Sequence, residues 1–122
     1  MLTIDSLKAE THIPVIIVDH HGTVAYINQI FTKEFGWQKD VLIGKTLTTV
    51  IPNNLKDAHH MGFSRFLLTG KPTILNQPLK LKILKMDGKE ADAEHIIIAE
   101  KINGSCVFGA TITPLEDTEK KF

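Results

Sequence analysis

The chain has 122 residues, 43% of them apolar, enough for the core of one domain, and its 14 basic and 14 acidic side chains leave a formal net charge of zero. That balance removes any electrostatic case for a nucleic-acid or anionic-membrane partner. No apolar run reaches the length of a bilayer span, the N-terminus lacks a signal-peptide pattern, and a lone cysteine, Cys106, cannot form an internal disulfide, so a reducing, cytoplasmic setting is expected.

Leu2 to Thr11 reads as a short flanking helix with Leu2, Ile4 and Leu7 as its only large apolar residues. Three such positions are too few to bury the segment in one core. Val15-Ile16-Ile17-Val18 is a β-branched run and therefore a buried strand. Asp19-His20-His21-Gly22 is a turn, and Thr23 to Ile27 is the second strand of a hairpin. Asn28 caps a helix over 29–35 that Gly36 ends, a further helical turn runs from Trp37 to Ile43, and Gly44 stops it. Lys45 to Ile51 leads through another short helical turn to Pro52.

From Asn53 to Thr69 the spacing predicts the longest helix. Leu55, Ala58, His59, Gly62, Phe63, Phe66 and Leu67 fall on one face at 3.6 residues per turn. His59 stands near the middle of that stripe and His60 lies about 100° away, at its edge. Gly62, one turn from His59, leaves room for a flat ligand or for close packing on a sheet.

After Pro72 the period changes. Ile74 to Lys85 alternates apolar and basic residues around Leu79, Leu81 and Ile83, which reads as a half-exposed strand with lysines outward. Asp87-Gly88 and Asn103-Gly104 are hairpin turns, separating this strand from Glu90–Glu100 and that one from Ser105–Thr113. Residues 116–122 are charged and read as the start of an outgoing linker. The count predicts an α+β fold, a five-stranded antiparallel sheet with helices packed on one face and room for a cavity between helix and sheet.

No zinc-type Cys/His spacing, phosphate-cradling loop, nucleophile–base pair or carboxylate pair stands out, so no enzyme is expected. By strand parity His95 shares a face with Ala91, Ala93 and Ile97; if that face is inward, His95 lines the cavity as a ligand or polar anchor. Gly109, on the last strand, is read like Gly62: open room or close packing.

The order IPVIIVDHHGTVAYINQIFTKEFGW, VLIGKTLTTVIP, the His59 helix ending RFLLTG, the MDGKE turn and the GATIT strand resembles a PAS domain over residues 12–115. The resemblance implies a bacterial cytoplasmic sensor that holds a small ligand or cofactor in its helix–sheet cavity. It also implies relay through a homodimer, paired through the flanking segment of residues 1–11, to a signalling partner such as a kinase, cyclase, chemoreceptor or regulator. The segment HHMGFSRFLLTG is similar to the helix of the rhizobial oxygen-sensor kinases, in which a histidine ligates haem iron. That likeness implies haem as a possible cofactor with His59 as axial metal ligand. Gly62, Phe63, Leu67, Leu79, Leu81, Ile96 and Gly109 would then line the porphyrin. Leu79 stands where those sensors carry the arginine that contacts bound oxygen.

Overall fold

The computed structural model describes residues 2–52 and 78–115. The elements in chain order are α1 (Ile4–Ala9), β1 (Val15–Val18), β2 (Val24–Ile27), α2 (Gln29–Phe35), α3 (Lys39–Leu42), a 3-10 turn (Leu47–Val50), β3 (Leu79–Leu84), β4 (Glu90–Ile102) and β5 (Ser105–Pro114). The expected helix over Asn53–Thr69 and the linker over 116–122 lie outside the described residues.

Local chemistry accounts for the short elements. The Asp19 carboxylate accepts from the His21 and Thr23 amides at 2.9 and 3.0 Å, closing the turn between β1 and β2. Thr3 and Ser6 form a capping box that starts α1, and Asn28 caps α2 through its side chain. Gly36 ends α2 at φ 85°, a left-handed conformation that costs glycine nothing. The β3–β4 hairpin closes where the Lys85 amide donates to the Lys89 carbonyl at 2.8 Å, with the Asp87 carboxylate accepting from the Lys89 amide at 2.9 Å.

The five strands form one antiparallel sheet, as the strand count predicts, and their order is β2-β1-β5-β4-β3. The register sorts the side chains into two faces, because residues directly opposite on antiparallel strands point the same way. One face carries Ile16, Val18, Ile83, Ala93, Ala110 and Ile112 and packs against Phe31, Phe35, Trp37, Leu42 and Val50. This is the main core, beneath α2, α3 and the 3-10 turn. Trp37 is packed into it, and its indole N–H donates to the Leu84 carbonyl at 2.9 Å, which ties the α2–α3 connection to β3.

The opposite face is covered as well. Val15, Ile17 and Ile98 pack there against Ile4 and Leu7 of α1. Ile4 and Leu7 are 2% and 1% exposed. This corrects the expectation that the N-terminal segment has too few apolar residues to bury itself: two suffice, because the outer face of the sheet supplies the rest of the cluster. Leu2 alone of the three stays exposed.

Candidate functional site

The floor of the site is built by strand pairing. Leu79 stands opposite His95, Leu81 opposite Ala93, and Ile83 opposite Ala91. Across the other edge of β4, His95 stands opposite Ile112 and Ile97 opposite Ala110. All of these share the main-core face, because Ile83, Ala93, Ala110 and Ile112 belong to that cluster. The strand nearest neighbours of His95 on this face are therefore all aliphatic: Leu79, Ile112, Ala93 and Ile97. The charged residues of β3 and β4 alternate away from it, where Lys82 Nζ meets the Asp92 carboxylate at 2.8 Å.

The packing on this face is uneven. Ile83, Ala93 and Ile112 are buried, whereas Leu81 is 39% exposed and Leu79, Ala91 and Ile97 are only partly buried. His95 lies among them with its Nε2 buried and without a hydrogen-bond partner. Burial holds the imidazole below its ordinary value, opposed in part by the nearby Leu81 backbone, so at neutral pH the ring is uncharged.

The residues expected to form a cofactor site divide accordingly. Leu79 and Leu81 lie on the main-core face with His95, whose inward orientation follows the strand parity. Ile96 and Gly109 do not. Ile96 pairs with Thr111 and alternates with His95 and Ile97, which puts it on the α1 face. Gly109 pairs with Ile98 and Ile17, both members of the α1-side cluster. A Cβ on Gly109 would collide with Leu7 Cδ1 and approach Ile4 Cδ1 to 3.0 Å. The glycine serves the close approach of α1 to β5, and neither residue lines the face that carries His95. His59, His60, Gly62, Phe63 and Leu67 lie outside the described residues.

Sequence reasoning missed how α1 is fastened. The Ile4 amide donates to the Glu100 carboxylate at 3.1 Å. Asn28, expected only as a cap, holds four groups at once. Its Oδ1 accepts from the Val15 and Phe31 amides, both at 3.0 Å, and its Nδ2 donates to the Glu10 and Ile13 carbonyls at 3.1 and 2.9 Å. The available signal was the Asn28 amide itself, whose two donors and two acceptor lone pairs exceed the needs of a helix cap.

Other chemistry-bearing residues form no site here. His20 and His21 place their rings 3.9 Å apart in an exposed turn, and among the described residues no three His, Cys, Asp or Glu side chains gather as metal ligands. Cys106 is half-buried, and burial raises its thiol pKa, which keeps it protonated. Among the described residues no helix is long and apolar enough to cross a membrane.

Comparison with known proteins agrees with this architecture. A family model described as the PAS fold matches residues 4–77. The PAS domain of a Desulfitobacterium hafniense protein superposes with a TM-score of 0.72 at 17% identity, covering 90% of this chain and 99% of that one. The PAS domain of an HTR-like protein from Haloarcula marismortui gives a TM-score of 0.69 at 17% identity, over 92% of this chain and 88% of that one. The PAS domain of the Cronobacter turicensis quorum-sensing receptor RpfR, in complex with C12:0, gives 0.67 at 15% identity, over 88% and 97%. At these identities the likeness speaks to the fold alone. In sequence, an uncharacterized protein of Azorhizobium caulinodans is 30% identical over 104 residues, which cover 84% of this chain and 14% of that much longer protein. A family match over more than half of the chain, on a sheet whose order and faces are those described above, establishes that this chain belongs to the PAS family, whose members are sensory and signalling modules.

Proposed function

We propose that this domain is a non-catalytic, cytoplasmic sensor that holds a small ligand against the main-core face of its sheet and relays occupancy through a homodimer to a signalling partner. The observation that supports this most is the contrast within one face. Leu81 is 39% exposed beside partly buried Leu79 and Ile97, while Ile83, Ala93 and Ile112 in the same register are closed. Aliphatic surface left accessible next to a finished core is what a small apolar ligand covers. The complex of the RpfR PAS domain with C12:0 shows the same fold accepting a ligand, and supports the reading by analogy.

The reading is tested by following backbone amides in NMR while the whole chain is titrated with a panel of small apolar compounds. Shifts confined to Leu79, Leu81, Ala93, His95 and Ile97 are expected. Shifts confined to the α1 face, or none with any compound, would sink the proposal. Light scattering at high micromolar concentration reads the dimer, and a monomeric mass counts against the relay.

Haem is the alternative occupant, with His59 as axial ligand through its neutral imidazole. It is supported by the face pattern of residues 53–69 and by the likeness of their sequence to the haem-binding helix. Titration with hemin decides it: His59→Ala is expected to abolish a defined Soret band that His60→Ala retains. A wild-type chain that gives no such band removes haem and leaves the small-ligand reading standing.

A further inference from the structure

We propose that His95 is the polar anchor of the ligand: with Nδ1 turned to the Leu81 backbone, its Nε2 accepts a hydrogen bond from an O–H group on a ligand whose body is apolar. This rests on the sensor reading above and names the ligand chemistry that reading leaves open.

Three observations carry it. The first is the orphan atom. Buried side-chain nitrogens in folded proteins nearly always have a partner, and among the described residues Nε2 of His95 is the one buried side-chain polar atom that does not. An unmet valence of this kind, buried beside partly exposed Leu79, Leu81 and Ile97, is met when a ligand settles among those residues.

The second is direction. A neutral imidazole carries one N–H and one lone pair. The inferred tautomer carries the N–H on Nδ1, since the Leu81 backbone favours a ring N–H and Nε2 has no partner to accept one. Nε2 then presents its lone pair, so the ligand group that satisfies it is a donor.

The third is the surroundings. Leu79, Ile112, Ala93 and Ile97 are the neighbours of His95 on this face, and none carries a charge. The lysines of β3 point to the other side, with Lys82 bound to Asp92 there. A carboxylate placed here would lose its hydration, find no cation among the described residues, and set its lone pairs against that of Nε2. A hydroxyl brings a proton and no charge. The shared chemistry is an O–H donor on an aliphatic body, supplied by an alcohol or by an un-ionised carboxylic acid.

The experiment uses the whole chain and three probes of similar size: 1-octanol, its isomer heptyl methyl ether, which lacks the donor, and octanoic acid. Affinities are read by calorimetry at pH 7.5, and the His95 ring nitrogens by 15N NMR. The wild type is expected to bind 1-octanol about tenfold more tightly than the ether, the size of one buried hydrogen bond. The Nε2 resonance should keep its unprotonated character and shift when 1-octanol is added. Octanoate should bind poorly at pH 7.5 and more tightly as pH falls toward its own pKa, which separates the acid from the alcohol as source. His95→Leu should bind both neutral probes within twofold of each other, and His95→Gln, which retains an acceptor, should recover most of the preference. Equal binding of alcohol and ether to the wild type, or a preference that survives in His95→Leu, overturns the role of His95 while leaving the ligand site intact. If neither neutral probe binds the wild type up to its solubility limit, the ligand site is absent and the anchor falls with it.

Discussion

The two faces of this sheet bury similar aliphatic residues to different ends. On the α1 face the packing is closed: Ile4 and Leu7 sit against Val15, Ile17 and Ile98, and Gly109 gives up its side chain so that the helix can descend onto β5. On the main-core face the packing is equally tight beneath Phe31 and Phe35, but toward β3 it loosens, and a polar ring stands there with one nitrogen unmet. The difference separates a surface shaped for one permanent occupant, a segment of the same chain, from a surface that keeps space and an unused hydrogen-bonding group. Closed packing favours stability. An unmet polar atom costs stability, and such a cost is tolerated where function uses the atom.

Substitutions that widen or erase this contrast test it. The largest effect is expected at Leu7→Ala, which empties the middle of the α1 cluster: about 3 kcal/mol of stability lost in urea denaturation, within the usual cost of a buried leucine. Retention of wild-type stability would mean that α1 is not seated on the sheet in solution. Gly109→Ala attacks the same contact from the strand side. The new methyl collides with Leu7, and overpacking of this kind costs about 2 kcal/mol. Hydrogen exchange should show the loss first in the amides of residues 4–9. A neutral outcome would show that the helix can shift without penalty.

On the other face the sign reverses. His95→Leu removes a buried, unsatisfied polar group and is expected to stabilise the ligand-free chain by about 1 kcal/mol. The same variant changes the pH response. An imidazole held below its ordinary value in the folded chain accepts its proton first in the unfolded chain, so its contribution to stability is intact above the ordinary value of 6.5 and is lost as pH falls below it. The groups facing His95 from β3, β4 and β5 are Leu79, Leu81, Ala93, Ile97 and Ile112, so among the described residues no charge on the sheet offsets this. Wild-type melting temperature should therefore drop between pH 7.5 and 5.5 more steeply than that of His95→Leu; parallel curves would contradict the burial of the ring. The smallest effect is expected at Leu81→Ala, which trims a side chain already 39% exposed and should cost below about 1 kcal/mol, while weakening the binding of apolar probes. A larger loss of stability would place Leu81 in the core rather than at its open margin.

Much of this architecture was legible in the residues because it is made by local chemistry. The Asp19 turn, the Asn28 cap, the Gly36 stop and the two hairpins around Gly88 and Gly104 each close through bonds within a few positions of one another. Alternation along β4 was equally local, and it correctly set His95 with Ala91, Ala93 and Ile97. The same alternation puts Ile96 on the other side, so His95 and Ile96 could never have lined one site. Parity relates residues within a strand but does not say which face meets which layer. That was decided by register, which set His95 between Leu79 and Ile112, and by α1, which claimed the face of Ile98 and Gly109. The fate of α1 itself was beyond the sequence for the same reason. Two apolar residues on a six-residue helix are a weak signal until a sheet face, assembled from strands up to a hundred positions away, offers them a place to bury.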